Sequence, residues 1–450
     1  MYDYKQLIEK DRKYLWHPFT QMKQWNKQAQ MIIVRGEGNK VFDIQGNGYI
    51  DAYSSLWCNV HGHNVPELNN AIIEQVKLIS HSTMLGAANV PAILLAEKLV
   101  EISPKGLSKV FYSDSGATAV EIALKMAYQY WKQKTGIVRN KFITFSDAYH
   151  GDTIGSVSLG GISVFHEIFK GLLFDTVRVP NTYAYRMGDG ITLDKAGEIV
   201  LNEIENALRR NIGKIAALVI EPKMFGAAGM ITQPNGFVKK IKELTGKYGT
   251  LLICDEVATG FGRTGEMFAS IDEGICPDIM AVAKGITGGY LPVAATLTTD
   301  DIYSAFLGEP EESKTFFHGH TYTGNQLGCA VSIANIDLMK KNNTVSHVKD
   351  ISKYLAEKLT ELEQTCKHIG EIRQCGVMIG IELVKDKKTK QCYEPGELTA
   401  HKVIMECRNY GVLTRNLGDV IILNPVLSIT KEEIDIVIDA LEKSILKITG

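Results

Sequence analysis

Five short apolar runs constrain this chain more than any other feature: Lys109–Ser113, Lys141–Phe145, Ile215–Ile220, Thr250–Cys254 and Ile279–Ala283. Continuous apolar runs of this length suit strands buried on both faces, which calls for a mainly parallel sheet covered by helices. Between the first two runs, Val120, Ala123, Leu124, Ala127, Tyr128 and Trp131 recur at helical spacing and predict a helix over Ala117–Trp131. The result is a strand–helix–strand unit. In open α/β sheets ligands collect at the carboxyl ends of the strands, so the residues that follow each run are the candidates for chemistry.

After about residue 330 the pattern changes to a long helical stretch, then Val377–Leu383, a charged turn at Lys385–Lys390 and a terminal helix from Lys431. The expected organisation is an N-terminal arm (1–60) carrying Trp16, Trp25 and Trp57, a large α/β domain (61–330) and a smaller α+β domain (331–450). Gly36, Gly38, Gly46 and Gly48 read as turns between short strands of the arm. With 49 Lys+Arg against 51 Asp+Glu the net charge is -2, which argues against a nucleic-acid binder and for small-molecule or protein-surface partners. A hydrophobic share of 45% with 22% charged residues excludes wholesale disorder, collagen and coiled coil. Met1 to Arg12 is polar and no stretch of 18 apolar residues occurs, so neither a secretion signal nor a membrane span is expected. Cys58, Cys254, Cys276, Cys329, Cys366, Cys375, Cys392 and Cys407 form no C-x-x-C pair and read as buried, inert thiols of a cytoplasmic protein.

Asp114-Ser115-Gly116-Ala117-Thr118 follows one strand and opens the helix. Free N–H groups and small side chains there suit a phosphate, although an ordinary N-cap explains the same residues. Asp255 ends Leu251-Leu252-Ile253-Cys254, where a carboxylate can hold a cationic ring nitrogen, bind a metal or cap a turn. Lys284 leaves Ile279–Ala283 for the glycine-rich Gly285-Ile286-Thr287-Gly288-Gly289. Desolvation at such a place lowers a lysine pKa, as a Schiff-base amine requires. Together a phosphate anchor, a pyridinium partner and an amine are the protein parts that pyridoxal 5'-phosphate needs. His61-x-His63 and His318-x-His320 lack a matching Cys or carboxylate cluster, so no metal is expected. Gly260-x-Gly262-x-x-Gly265 fits the dinucleotide fingerprint but begins too far beyond Cys254 for a tight strand-to-helix turn.

Asp255–Gly265 (DEVATGFGRTG), Ala283-Lys284-Gly285 and Thr321-Tyr322-Thr323-Gly324-Asn325 resemble the signature of the class III, fold-type I pyridoxal-phosphate aminotransferases over nearly the whole chain. Leu15–Gln21, Tyr149–Thr153 and Phe317–Thr321 resemble the branch of that class that aminates 8-amino-7-oxononanoate in biotin synthesis. The resemblance implies a large domain with a mainly parallel seven-stranded sheet and a homodimer with shared active sites. It also implies that Lys284 holds the cofactor and moves the proton, that Asp255 keeps the ring nitrogen protonated, and that Gly116 and Ala117 offer amides to the phosphate. By the same resemblance His320 and Thr321 bind cofactor, Thr321 from the partner subunit, and Tyr149 stacks on the cofactor ring. Trp57 lines an apolar substrate tunnel, Gly319 flanks it, and Arg415 holds the far carboxylate of the nonanoate. Taken singly, Tyr149 and Trp57 read as packing aromatics and Arg415 as a surface ion pair.

Three positions depart from the branch. Ala117 stands where well-known members have serine, leaving only a backbone N–H for the phosphate. Phe19 replaces a tyrosine, and Leu56-Trp57 replaces a tandem tryptophan, both on the amino-donor side. The donor is therefore S-adenosylmethionine, usual in the branch, or L-lysine, which a branch with Phe and a single Trp uses. An ω-aminotransferase of the ornithine or 4-aminobutyrate type and a non-catalytic metabolite-binding protein are the rival readings.

Overall fold

The computed structural model describes residues 3–28 and 30–450; Met1, Tyr2 and Ala29, part of the expected arm, lie outside the described residues. All five apolar runs form strands, with small shifts at their ends, and they belong to one seven-stranded sheet. Its order is Leu107–Ser113, Ala294–Thr299, Ile279–Val282, Leu251–Asp255, Ile215–Ile220, Lys141–Phe145, Val177–Val179. Ala294–Thr299 runs antiparallel to both neighbours and every other pairing is parallel, so the expected α/β fold is borne out. Parallel pairing puts Ser113, Phe145, Ile220, Asp255 and Val282 on one edge of the sheet. The strands Ile215–Ile220 and Leu251–Asp255 are buried along their whole length, which accounts for their unbroken apolar character.

The predicted helix spans Gly116–Thr135, longer at both ends than its apolar stripe. Ser115 and Thr118 form a reciprocal capping box at its start, and Gly136, at φ 73°, ends it in the left-handed conformation that glycine tolerates. Its face with Val120, Ala123, Leu124 and Ala127 packs on the sheet, while Gly36 and Gly48 depart from the expected turns. They lie inside the strands Ile33–Glu37 and Gly48–Asp51, and only Gly38 and Gly46, at φ 55° and 91°, make the turns. A Cβ on Gly36 would sit 2.5 Å from His63 Cβ, so close packing and not chain reversal requires glycine there.

The arm opens with a helix, Tyr4–Tyr14, capped by Asp3. Its three strands continue into the C-terminal part of the chain, because Gly48–Asp51 pairs in parallel with Val412–Leu413. A separate antiparallel sheet contains Ile369–Cys375, Met378–Leu383, Val420–Leu423 and Arg415–Leu417, covered by Thr344–Thr365, Thr399–Cys407 and Lys431–Thr449. One apolar cluster runs from Tyr112 and Val282 of the large sheet to Ile379 and Ile421 of the small one. The expectation of eight buried thiols needs correction: Cys392 is exposed and Cys58, Cys276 and Cys375 are half-buried. Among the described residues no helix is long and apolar enough to cross a membrane.

Because Ile253 is fully buried between sheet and helix, Ile253→Ala should cost about 2–5 kcal/mol in chemical denaturation. A loss below about 1 kcal/mol would show that the sheet is not packed as described.

Candidate active site

A cavity of about 770 Å³ opens at the carboxyl edge of the seven-stranded sheet. Lys284 enters it just beyond the strand Ile279–Val282, with a backbone φ of 46° that non-glycine residues seldom adopt. Burial pushes its ammonium pKa down, opposed by the charges of Asp255 and Glu221. Its Nζ lies 4.9 Å from the ring centroid of Trp57. Burial thus makes its proton easier to lose than that of an exposed lysine.

Asp255, only 4% exposed, is held by both oxygens. Oδ2 is 2.7 Å from His150 Nδ1 and Oδ1 accepts the Val257 N–H at 3.0 Å. His150 has no exposed side-chain surface, and its Nε2 has no hydrogen-bond partner among the described residues. Glu221 follows the neighbouring strand and accepts the N–H groups of Tyr149 and Gly226 at 3.2 and 3.0 Å. Burial pushes its carboxyl up to about 7, with His150 opposing and Asp255 adding to the rise.

The helix start forms the opposite wall. Since the capping box engages the N–H of Ser115 and Thr118, the amides of Gly116 and Ala117 remain without intrahelical partners. A Cβ on Gly116 would lie 2.6 Å from Val257 Cγ1, so the helix start abuts the loop that fixes Asp255. Gly151, at φ 121°, packs where a Cβ would sit 2.4 Å from that of Ala117. This contact brings the Tyr149–Asp152 turn onto the helix start. Tyr149 donates its hydroxyl to Asp152 Oδ2 at 2.8 Å, which with burial holds the phenol above its ordinary pKa.

Phe19, Leu56, Trp57, Phe165 and Leu417 give the remaining wall an apolar character. Arg415 reaches the same cavity and has no carboxylate within ion-pair distance among the described residues. Burial lowers its pKa, against the opposing influence of Tyr53 and Tyr149. An unpaired guanidinium in an apolar enclosure is a ready carboxylate receptor.

The structure thus brings together Lys284, Asp255, Tyr149, Gly116, Ala117, Phe19, Leu56, Trp57 and Arg415. Gly319, His320 and Thr321 lie outside the lining of this cavity; Gly319 and Thr321 are exposed, and His320 Nδ1 is 3.0 Å from Asp114 Oδ2 at the rim. Sequence reasoning assigned His150 and Glu221 no role, although Glu221 directly follows an apolar strand and so carries the signal that singled out Asp255. Arg263 is 1% exposed and bonds to Asn59 O, Asn424 Oδ1 and Pro425 O, away from the cavity. Each histidine of the two H-x-H pairs is engaged by another group: His61 with Asn335 O, His63 with Asp51, His318 with Lys125 and His320 with Asp114. Among the described residues no group of three or more His, Cys, Asp or Glu side chains is placed to hold a metal ion.

Residues 21–445 match the family Aminotransferase class-III. The adenosylmethionine-8-amino-7-oxononanoate aminotransferase of Aquifex aeolicus is 52% identical, over 98% of this chain and 98% of its own. That of Geobacter sulfurreducens is 49% identical over 100% and 99%. The crystal structure of the adenosylmethionine-8-amino-7-oxononanoate aminotransferase from Methanocaldococcus jannaschii superposes with a TM-score of 0.94 at 44% identity, covering 100% of both chains.

Glu221 gives a pH signature to the protein without added ligands. A carboxyl raised from its ordinary 4.5 to about 7 favours the fold fully below 4.5 and loses that contribution as pH rises toward 7. Glu221→Gln should flatten the decline of stability across that window by about one proton's linkage, measured as denaturation midpoint against pH. Parallel curves for parent and variant would contradict the buried placement.

Proposed function

The chain belongs to the class-III aminotransferase family, and from that premise we propose that it aminates the ketone of 8-amino-7-oxononanoate to give 7,8-diaminononanoate in biotin synthesis. The names of its relatives supply the substrate, and one observation in the structure supports it most directly. Arg415 stands unpaired in an apolar cavity that also contains Lys284, which suits a keto acid whose hydrocarbon chain ends in a carboxylate. An apolar wall contributes about 0.8 kcal/mol per methylene removed from water, and the guanidinium fixes the far end in two hydrogen bonds.

The site also fits pyridoxal 5'-phosphate. Lys284 would bind its aldehyde carbon, Asp255 its ring nitrogen, and the free amides of Gly116 and Ala117 its phosphate, while Tyr149 would flank its ring. The unpartnered His150 Nε2 lies in the same lining. Bound there, the cofactor supplies an electron sink that makes the C–H beside an amine acidic. Once displaced from the cofactor by the donor amine, Lys284 Nζ, whose pKa burial lowers, would accept the proton from the donor's amine-bearing carbon and, in the reverse sense with the acceptor, deliver a proton to the carbon that gains the amine. The Asp255 carboxylate, pinned between His150 and the Val257 amide, is held in place to pair with the ring nitrogen. Trp57, 6% exposed and with its ring beside Lys284 Nζ, shields the amine from water.

S-adenosylmethionine is the donor in this reading, after the relatives' names. Phe19 and Leu56 offer neither phenol nor indole to it, so L-lysine is the competing donor. The reading includes a homodimer in which Thr321 acts in the site of the other copy, with His320 at the cofactor and Gly319 flanking the substrate. It also includes a cytoplasmic location and the three-part organisation of 1–60, 61–330 and 331–450.

Purified holoenzyme given the keto acid with each donor separately should form the diamine with S-adenosylmethionine. Turnover with lysine alone would reassign the donor, and faster turnover of 4-aminobutyrate with 2-oxoglutarate would overturn the substrate. Arg415→Ala should lower kcat/KM for the keto acid roughly a hundredfold, chiefly through KM. Lys284→Ala should abolish rescue of a biotin auxotroph, and unchanged rescue would instead support a non-catalytic protein.

A further inference from the structure

The cavity wall that carries Leu56 and Trp57 is a strained turn. Ser54, Ser55 and Trp57 have φ of 47°, 62° and 63°, and none of them is glycine. Such a cluster persists only where surrounding contacts over-determine it, and it occurs where side chains must be aimed. The restraint comes from outside the cavity. Asp51, with 1% of its side chain exposed, accepts the Ser55 N–H at 3.0 Å and the Ser55 hydroxyl at 3.1 Å.

His63 completes the arrangement. Its Nε2 is 3.0 Å from Asp51 Oδ2, and its Nδ1 is 3.2 Å from Asn59 Nδ2. An amide NH₂ can only donate, so Nδ1 accepts and the proton resides on Nε2, facing the carboxylate. The Asn59 oxygen in turn accepts the Gly62 N–H at 2.8 Å. The His63 backbone is tied to Gly38 by two hydrogen bonds of 2.7 and 3.2 Å, and its ring packs where Gly36 lacks a side chain. Asp51 itself ends a strand paired with Leu413, two residues before Arg415. On the other side Ser54 Oγ donates to Asn424 O at 2.8 Å. The turn is thus fixed relative to the strand that leads to the carboxylate receptor.

What this restraint presents is specific. Trp57 is 6% exposed, its indole N–H has no partner among the described residues, and its ring faces Lys284 Nζ. Leu56 stands half exposed to the cavity beside it. We propose that Asp51 and His63 are a positioning pair that holds the strained Ser54–Cys58 turn and so sets the spacing between the Leu56–Trp57 wall, the Lys284 amine and the substrate chain. The proposal rests on the keto-acid reading for its substrate arm only. Neither residue touches the cavity, so their effect travels through Ser55 and the backbone.

The test uses holoenzyme carrying Asp51→Asn or His63→Gln. Each variant should raise KM for the keto acid about tenfold while kcat stays within about threefold. Without substrate, the pH midpoint of the absorbance band of the Lys284-bound cofactor should move by about half a unit or more, because the indole beside the amine is displaced. Adding Ser55→Gly to Asp51→Asn should bring the midpoint back toward the parent's, since glycine adopts the required φ without a clamp. A midpoint unmoved in both variants overturns the proposal. Should Asp51→Asn fail to fold, Ser55→Ala removes one hydroxyl contact and should move the same midpoint in the same direction; an unmoved midpoint there overturns the proposal equally. A parent enzyme that leaves the keto acid unchanged refutes the substrate reading, and the midpoint still decides the clamp.

Discussion

A lysine amine and two carboxylates share one buried sheet edge, and the cost of keeping those charges out of water organises the rest of the molecule. Lys284, Asp255 and Glu221 are each taken from solvent; the two carboxylates favour the lysine's charge, while Asp255 opposes that of Glu221. Removing one partner of such a buried group costs several kcal/mol. The parallel sheet is what makes the arrangement possible, because it delivers consecutive strand ends to the same edge while helices cover both faces. His150, the Val257 amide and the Gly226 amide then complete the hydrogen bonds that burial demands.

Backbone strain collects around the same cavity. Phe19, Trp57 and Lys284 line it with positive φ, although none is glycine. The glycines do the opposite job, since Gly116 and Gly151 let the helix start, the Val257 loop and the Tyr149–Asp152 turn approach to distances that any side chain forbids. Rigid placement of small and large residues at this edge leaves an enclosure that gathers an amine, a carboxylate and a guanidinium, and burial lowers the pKa of both the Lys284 amine and the Arg415 guanidinium.

The strands that build the site were legible because burial on both faces leaves an unbroken apolar run. Ala294–Thr299 was missed because its threonines, Thr296 and Thr298, spend their hydroxyls on backbone carbonyls and are buried like apolar residues. Val177–Val179 is too short to stand out. Asp255 and Lys284 were readable from their position after such runs, whereas His150 is linked to Asp255 only by a contact across 105 positions of sequence. His63 was legible only as half of a metal pair that was set aside, and Asp51 carried no signal at all, since what they hold is a backbone conformation that leaves no mark in composition. Gly319, His320 and Thr321 were drawn from resemblance alone, and the geometry of one chain leaves them outside its cavity.

The account stands on Lys284 as the residue that carries the cofactor. Borohydride reduction of the protein loaded with pyridoxal 5'-phosphate, followed by mass spectrometry of its peptides, tests this directly. One pyridoxyl group per chain on Lys284 is the expected result. A label spread over exposed lysines such as Lys5 or Lys431, with Lys284 unmodified, would contradict the assignment of the buried amine and with it the proposed reaction.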